Sequence, residues 1–538
     1  MSECTPQRLL PHSSRLRGNT SDGPRDGGIW RDSVGERGVG RSLAIGFSLA
    51  NLWFIGVWSD LLPFLYLSDW FPIGGLPCWN DFAAAVLNVC VVGVALSGLA
   101  CLSRGTSRLA TAGGWLLLAS LAVPLNAIRY HFHLPGEYAF ASLDRTTAAA
   151  VLGLATLCAA FVAVRWRTKT LTVLHASLVI IFPLMPLLFA QSAWAISQAG
   201  GRLRCTGASD LAAPFPGVPP WRVLLVVYDE LEQHATFEAR PGDLRLPAFD
   251  KLRAESVAAS AMVASAGRTE RSMPAILTGR EVTGAVLVGR NRLQLTLGAQ
   301  GGTDVLEGED TVFARARGQG VNTGLAGFFL PYCSMLSGSL TRCTWEPCVT
   351  CGRRVGAFGD SVLESMANQV SELAPRHGPR RHMQAYRSLQ AGALDLVADP
   401  TLGMVLVHLN VPHDPAIYDR RIADFSLRSP ARRDYYDNLA LADRSLGELR
   451  QALADSGLAD RTSIVVFGDH ARRSLDDGMT ISDPRVPFLV RLPRQGAAVA
   501  YAKPLTLLVV HDLALELLAG RLQTTAALTN WLDARAGP

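Results

Sequence analysis

The sequence predicts an α-helical membrane domain of five spans followed by an α/β domain with a mostly parallel central sheet. The chain has 538 residues, more than a single hydrophobic core normally supports. Hydrophobic residues make up 49% of it and charged residues 18%, whereas soluble chains average about 25% charged residues. The composition therefore argues against a disordered chain and against a purely cytosolic enzyme.

The N-terminal part carries the membrane signal. Five apolar stretches lie at 43–66, 82–103, 109–128, 147–164 and 171–197. Each is close to the ~20 residues that a helix needs to cross the hydrocarbon core of a bilayer. Residues 1–42 are rich in Arg, Gly, Ser and Asp without apolar periodicity, so we expect a disordered cytoplasmic tail rather than a signal peptide.

Basic residues predict the orientation of these spans. The tail holds seven arginines, and the loops after the second and fourth stretches hold Arg104, Arg108, Arg165, Arg167 and Lys169. The loop after the first stretch has no basic residue. Because Lys and Arg are enriched in short cytoplasmic loops, we expect a multi-pass membrane protein with its C-terminal domain outside the cytoplasm.

The remainder of the chain predicts a linker over 198–220 and a catalytic domain over 221–538. Three continuous apolar runs are typical of strands buried on both faces: Val223–Tyr228, Met404–Leu409 and Ile464–Phe467. The leucine spacing of Tyr436–Ser456 predicts an amphipathic helix. Strands separated by helices indicate a parallel sheet. The net charge of +5 comes with no strongly basic face, so we expect no nucleic-acid partner; we also expect a monomer.

Polar residues follow the three runs, namely Asp229, His413, and Asp469 with His470. Ligands of open α/β sheets gather at the carboxyl ends of strands, and carboxylates with imidazole suit zinc or manganese. An Asp after a strand is also a common turn former, and a His after a proline is often structural. The convergence of three strand ends is what predicts a site for a divalent metal ion.

The segment Ser265–Gly279 passes through small residues into a helix that opens with the hydroxyl of Thr269. Backbone amides at a helix N-terminus bind phosphoryl or sulfuryl groups, and a nearby metal ion makes a hydroxyl a nucleophile. Capping of the helix by Thr269 is an equally good explanation of this segment alone.

The order of these motifs resembles the alkaline phosphatase and sulfatase superfamily. Asp229 after a strand, Thr269, the S-x-P-x-x-L-T-G of Ser272–Gly279 and the late Gly468-Asp469-His470 carry the resemblance, which covers about residues 221–495. With its N-terminal spans the chain looks most like the membrane-anchored branch of lipoteichoic acid synthases and phosphoethanolamine transferases. This resemblance implies that the protein lies in the bacterial inner membrane. The resemblance implies an alkaline-phosphatase-like fold for the catalytic domain.

The same resemblance implies roles for the site residues. Asp229, Thr269, Asp469 and His470 fall on the metal and nucleophile positions, which implies one divalent ion, zinc or manganese. His413 resembles the histidine that contacts substrate and protonates the leaving group. Glu230 is an alternative or additional ligand. The two arginines after Ala471, Arg472 and Arg473, either hold a phosphate or are solvated, and Arg472 is the predicted substrate contact.

In that branch the threonine takes a phospho-headgroup from a phospholipid. The predicted partners are therefore a membrane phospholipid donor and an extracytoplasmic lipid or glycan acceptor. The alternatives are a phosphodiesterase or phosphatase in which water accepts the group, a sulfuric ester hydrolase of the same fold, and a non-catalytic scaffold.

Spacing tests the sulfatase alternative. Arylsulfatases begin the equivalent segment C-x-P-S-R, with the Cys or Ser converted to formylglycine, whereas positions 269–273 read T-E-R-S-M. Threonine does not undergo that conversion, and the Pro and the Arg are also absent. The segment therefore argues against a working sulfatase.

Four cysteines cluster in the catalytic domain, namely Cys333, Cys343, Cys348 and Cys351. Outside the cytoplasm disulfides are favoured over free thiols, and of the three possible pairings we expect 333–343 with 348–351. A structural zinc site formed by the four thiolates is the alternative.

Overall fold

The computed structural model describes residues 29–62, 78–104, 107–131, 154, 161, 165–198, 211–289, 292–298, 302–306, 310–347, 361–373, 378–426, 435–473 and 483–537. The helices of the N-terminal part are α1 (Ile29–Trp53), α2 (Ile55–Leu61), α3 (Trp79–Leu102), α4 (Arg108–Ala119), α5 (Ala122–His131), α6 (Arg167–Ile181) and α7 (Leu184–Gln198).

The C-terminal part mixes strands and helices. Its helices are α8 (Pro247–Ala254), α9 (Thr269–Thr278), α10 (Val312–Gly318), α11 (Tyr332–Met335), α12 (Val362–Ser371), α13 (Gly378–Ala398), α14 (Tyr435–Asp455), α15 (Val509–Leu518) and α16 (Thr525–Asp533). Its strands are β1 (Arg222–Asp229), β2 (Val257–Ala259), β3 (Met262–Val263), β4 (Val282–Gly289), β5 (Arg292–Leu297), β6 (Thr303–Leu306), β7 (Asn322–Phe328), β8 (Arg342–Glu346), β9 (Leu402–Pro412), β10 (Tyr418–Asp419), β11 (Asp424–Phe425), β12 (Thr462–Gly468), β13 (Phe488–Arg491), β14 (Val499–Tyr501) and β15 (Leu505–Thr506).

Among the described residues, three helices are long and apolar enough to cross a membrane, namely Trp79–Leu102, Arg108–Ile128 and Arg167–Ser197. They correspond to the second, third and fifth predicted stretches. The first stretch is divided at Phe54, between α1 and α2, and its end lies outside the described residues, as does most of 147–164. Within the described residues the structure therefore gives three candidate spans, and it does not establish all of the five predicted ones.

Helix α1 begins at Ile29, so residues 29–42 are helical and the predicted disordered tail is wrong there. Extending a helix that the apolar residues have already nucleated adds one hydrogen bond per residue without a second nucleation cost. The Arg104 guanidinium also donates to the Gly38 carbonyl. Residues 1–28 of the predicted tail lie outside the described residues.

An eight-stranded sheet forms the centre of the C-terminal part, in the order β14-β2-β13-β12-β1-β9-β7-β8. The strands β12, β1, β9, β7 and β8 run parallel, and β13 pairs antiparallel with both of its neighbours. Every residue of β1, β9 and β12 is buried, as expected of strands covered on both faces. The mostly parallel α/β domain predicted from the sequence is confirmed.

Two groups of helices cover this sheet. Helices α13 and α14 contact each other and β9, while α15 contacts β1, α9 and α10. The observed α14, Tyr435–Asp455, matches the predicted amphipathic helix closely, and its Leu439, Leu446 and Leu453 are buried. This arrangement leaves the carboxyl ends of β12, β1 and β9 side by side.

Candidate active site

The polar residues predicted at strand ends lie at the ends of three neighbouring strands. Asp229 is the last residue of β1, Asp469 and His470 follow β12, and His413 follows β9. Since β1 pairs with both β12 and β9 in parallel, the three strand ends lie at one edge of the sheet. The structure thus brings these four residues together.

Local packing fixes the turn after β12. A Cβ on Gly468 would collide with the carbonyl oxygen of Leu231, so the chain reaches Asp469 only with glycine at this position. The Ser272 hydroxyl on α9 donates to the Asp469 carbonyl at 2.5 Å. The glycine and the serine of the sequence motifs therefore hold the strand end against the helix that carries Thr269.

The side chains of Asp229, Asp469 and His470 form a compact buried cluster. One ligand atom from each lies within 4.8 Å of the others. The His470 Nε2 atom is 3.7 Å from Asp229 Oδ1 and 3.6 Å from Asp469 Oδ2. Two carboxylates and an imidazole at these separations suit a divalent metal ion.

Thr269 does not cap its helix. It is the first residue of α9, and the cap position belongs to Arg268. Its hydroxyl donates to Asp469 Oδ2 at 2.8 Å and lies 3.4 Å from His470 Nε2. Thr269 thus faces the carboxylate–imidazole cluster, and the capping explanation from the sequence is wrong.

The Asp229 carboxylate is buried and only partly satisfied. Among the described residues its Oδ1 atom has no hydrogen-bond partner. Burial and the neighbouring negative charge of Asp469 raise the pKa of Asp229. A cation between the two carboxylates would relieve both penalties. The residues present therefore fit a divalent metal ion.

His470 and Asp469 are oriented for such an ion. The His470 Nδ1 atom lies 2.9 Å from the Ala471 carbonyl, so Nδ1 carries a proton and Nε2 faces the cluster, where loss of its proton would free a lone pair for a metal ion. Asp469 Oδ1 accepts from the backbone amides of Glu230 and His470. Burial would raise the pKa of Asp469, but the positive charge of His470 and these hydrogen bonds hold it below its usual value.

A second group of charges lies beside this cluster. The Arg473 guanidinium donates to Glu230 Oε1 at 2.9 Å, and its Nη2 atom is 3.3 Å from His413 Nε2. His413 Nδ1 is directed at the Asp414 carbonyl at 2.6 Å. Burial alone would lower the pKa of His413, but the Glu230 and Asp229 carboxylates raise it to about 9. The His413 imidazole thus holds its proton at neutral pH in the metal-free protein.

Glu230 is paired with Arg473 rather than directed into the carboxylate–imidazole cluster. Burial would raise the pKa of Glu230, yet the positive charges of His413, His470 and Arg473 outweigh it and hold that pKa below the usual value. Its backbone has a positive φ of 65°, which a non-glycine residue rarely adopts. This turn sends the Glu230 side chain toward Arg473.

The structure places Arg473, not Arg472, next to His413. The Arg472 guanidinium stacks on the Tyr435 ring, with 4.6 Å between the Cζ atom and the ring centroid. Of these two arginines, Arg473 is the one that faces His413. The sequence offered two adjacent arginines, and the ring on α14 decides which of them faces the site.

Sequence reasoning missed two buried histidines near the site, His382 on α13 and His408 on β9. The ring of His382 is 6.4 Å from that of His413, and Tyr332 Oη is 3.1 Å from His408 Nδ1. Burial lowers the pKa of His382 to about 3 and that of His408 to about 4, so both are neutral. The apolar residues around His408 in the sequence gave no signal for it.

Two of the predicted cysteines, Cys333 and Cys343, form a disulfide bond in the structure. Cys348 and Cys351 lie outside the described residues. A second carboxylate–imidazole group, His234, Glu238 and Asp483, lies at the surface. Arg485 pairs with Glu238 at 2.8 Å and with Asp483 at 2.7 Å. The positive charge of its guanidinium therefore already balances the carboxylates of that group.

Peptide mapping under non-reducing conditions is expected to find Cys333 linked to Cys343. The bond is expected to disappear on reduction, and the unreacted thiols of Cys90 and Cys101 serve as internal controls for alkylation. Four alkylatable thiols at Cys333, Cys343, Cys348 and Cys351 with one bound zinc ion would establish the metal site instead.

The chain matches a family model and is similar to several solved structures. The sequence model of the family described as Sulfatase matches residues 222–519. The chain is similar to the structure of a protein in the alkaline phosphatase superfamily from Vibrio parahaemolyticus, at 14% identity and a TM-score of 0.38, over 57% of this chain and 68% of that one. It is similar to the phosphonate monoester hydrolase of Agrobacterium radiobacter, at 14% identity and a TM-score of 0.36, over 56% of this chain and 74% of that one. It is also similar to the lipoteichoic acid synthase LtaP from Listeria monocytogenes, at 14% identity and a TM-score of 0.35, over 56% of this chain and 73% of that one. No curated protein sequence matches the chain.

Proposed function

The chain belongs to the Sulfatase family of hydrolases and transferases, and on that premise we propose that it is a membrane-anchored phosphotransferase. In this proposal it moves a phospho-headgroup from a phospholipid to an extracytoplasmic lipid or glycan acceptor through a phosphothreonine at Thr269. The observation that carries the proposal is the Thr269 hydroxyl, buried and 2.8 Å from Asp469 Oδ2. A threonine at this position forms no formylglycine, which favours phosphoryl over sulfuryl chemistry.

The residues of the site divide the reaction into two displacements. The Thr269 oxygen attacks phosphorus, its proton leaves along the hydrogen bond to Asp469, and the bond from phosphorus to the glycerol oxygen breaks. His413 gives its proton to that glycerol oxygen. In the second displacement an acceptor hydroxyl attacks the phosphothreonine and neutral His413 takes the acceptor's proton. The bond from phosphorus to the Thr269 oxygen breaks, and that oxygen regains its proton from Asp469.

A divalent ion held by Asp229, Asp469 and His470 would lower the pKa of the Thr269 hydroxyl and offset negative charge on the phosphoryl group. Arg473 lies where it supplies a fixed positive charge beside His413. Planar guanidinium groups bind phosphate oxygens in pairs. We assign Arg473 to the binding of the phosphodiester, with Glu230 holding the guanidinium in place.

Three observations support the membrane setting and the orientation. The C-terminal part contacts the Trp79 end of α3 through α12, and Arg104 follows the opposite end of α3. The positive-inside rule places the Arg104 end in the cytoplasm. Cys78, at the start of α3, is disulfide-bonded, and disulfides persist in oxidising compartments. All three agree with a catalytic domain outside the cytoplasm.

The direct test incubates the full chain in nanodiscs that contain phosphatidylethanolamine or phosphatidylglycerol. Intact-mass and peptide analysis is expected to find a headgroup phosphate on Thr269, together with diacylglycerol release. Release of a free phospho-headgroup at the same rate without any acceptor would support the phosphodiesterase alternative. Neither an adduct nor diacylglycerol with either lipid would overturn the proposal.

Turnover is expected to fall as pH rises through the pKa of His413. Because the folded protein raises that pKa to about 9, the imidazole holds its proton at neutral pH and loses it at higher pH. A bound cation would offset the Asp229 charge, so we expect the alkaline limb at or below pH 9. His413→Gln should lack this limb and turn over about 10²–10⁴-fold more slowly. An unchanged limb in the variant would exclude His413 as the proton donor.

A reporter fused after Pro538 tests the orientation. A reporter that requires an oxidising compartment is expected to be active, since an odd number of spans separates Pro538 from a cytoplasmic N-terminus. A reporter that works only in the cytoplasm should be silent in the same position. The reverse pattern would contradict both the orientation and the proposed extracytoplasmic acceptor.

A further inference from the structure

Helix α12 (Val362–Ser371) lies along the outer part of α3 and is held there by buried polar contacts. The Ser365 hydroxyl donates to Asp81 Oδ1 at 2.8 Å, and the Gln369 amide donates to the Asp81 carbonyl at 3.0 Å. The Asn88 amide donates to Gln369 Oε1 at 3.0 Å and to the Met366 carbonyl at 3.2 Å. The catalytic part is thus attached to α3 over two turns.

The two faces of α12 are reversed relative to a helix of a water-soluble surface. Its inward stripe, at spacings of four and three, is Ser365, Gln369 and the following Glu372, with exposures of 0%, 0% and 7%. Its outward stripe at the same spacings is Leu363, Ala367 and Val370, of which Leu363 is 78% and Val370 47% exposed. The exposed Glu364 and Ser371 lie beside this stripe. A surface helix in water places its apolar stripe inward.

Its position along α3 accounts for this reversal. The contacts run from Asp81 to Asn88, seven residues or about 10 Å along the helix axis. At the same level and just beyond it, α3 exposes Leu87, Val91 and Val94, which are 45%, 64% and 62% exposed. Trp79 is half exposed at the start of α3, where membrane interfaces favour tryptophan.

We propose that α12 is a membrane-embedded anchor of the catalytic domain, with its Leu363–Ala367–Val370 stripe in the acyl chains of the outer leaflet. This inference rests on the membrane setting of the proposed function. Lipid has no hydrogen-bonding groups at this depth, so polar side chains of the two helices turn to each other and apolar side chains face outward. The anchor fixes the height of the catalytic domain above the lipid that it would cleave.

Photocrosslinking in the full chain tests the anchor. The photoreactive residue p-benzoylphenylalanine replaces Leu363, Val370, Val94 or Ile422, one at a time, and each protein is irradiated in phosphatidylglycerol nanodiscs. Val94 reports the lipid-facing side of α3, and Ile422, which is 64% exposed, reports the surface of the catalytic part. We expect lipid adducts at Leu363, Val370 and Val94 and none at Ile422.

Two outcomes contradict the proposal and are told apart by Val94. Lipid adducts at Val94 without any at Leu363 or Val370 would place α12 in water or under protein, and the anchor alone would fail. No lipid adduct at Val94 either would remove the membrane setting, and the proposed lipid donor would fail with it. Because all four side chains are exposed, the replacements leave the core unchanged.

Discussion

Replacement of Thr269 by alanine is expected to abolish headgroup transfer while the protein keeps its metal ion. The hydroxyl is the group that attacks phosphorus in the proposed reaction, and loss of a nucleophile costs roughly 10³–10⁶-fold in turnover. Asp229, Asp469 and His470 remain in place as ligands. Metal content by elemental analysis and diacylglycerol release in nanodiscs are the two measurements.

Thr278→Ala is the matched control. Thr278 lies at the other end of the same helix, and its hydroxyl donates to the Pro274 carbonyl at 2.7 Å, away from the cluster. We expect nearly parental turnover from this variant. If Thr269→Ala also kept parental turnover, the nucleophile would be water, and the hydrolase alternative would replace the transferase.

The sheet was predictable from the sequence because its central strands are uniformly apolar. Val223–Tyr228 and Ile464–Phe467 fall inside β1 and β12, and a parallel pair brings their carboxyl ends together. The positions of Asp229 and Asp469 then follow from topology alone. Their separation and the exposure of each oxygen follow from side-chain packing, which periodicity does not encode.

The parts of the site that the sequence left open or did not indicate depend on contacts between distant segments. Arg473 faces His413 because Tyr435, on another helix, stacks with Arg472. His408 lies inside an apolar strand, where the sequence pattern indicates only burial. The direction of each side chain was set by residues far away along the chain.

The membrane part shows the same distinction. Apolar length predicted the spans that match Trp79–Leu102, Arg108–Ile128 and Arg167–Ser197. The helix start at Ile29 was missed because charged residues hide its continuity with the apolar part. The attachment of α12 to α3 was missed because Gln369 on α12 and its partner Asp81 on α3 are nearly three hundred residues apart in the sequence.

Replacement of Asp469 by asparagine is expected to remove metal affinity and turnover together. Asp469 contributes a charged oxygen to the cluster and accepts the Thr269 hydroxyl, so we expect metal affinity to fall roughly 100-fold or more and turnover to become undetectable. Thermal unfolding separates this loss from misfolding. In the metal-free protein the variant loses the repulsion between Asp469 and Asp229 and also the attraction between Asp469 and His470. The two losses oppose each other, so its midpoint should stay close to that of the metal-free parent.

Added metal should then distinguish the two proteins. A ligand at about one hundred times its dissociation constant stabilises the folded state by about 2.7 kcal/mol, so the parent midpoint should rise with zinc or manganese while that of Asp469→Asn stays constant. Asp483→Asn is the control, because Asp483 belongs to the surface group that Arg485 already neutralises. It should retain the metal-dependent rise. If instead the metal-dependent rise in midpoint were lost in Asp483→Asn and kept in Asp469→Asn, the metal ion would bind at the surface group. Thr269 would then have no activating ion.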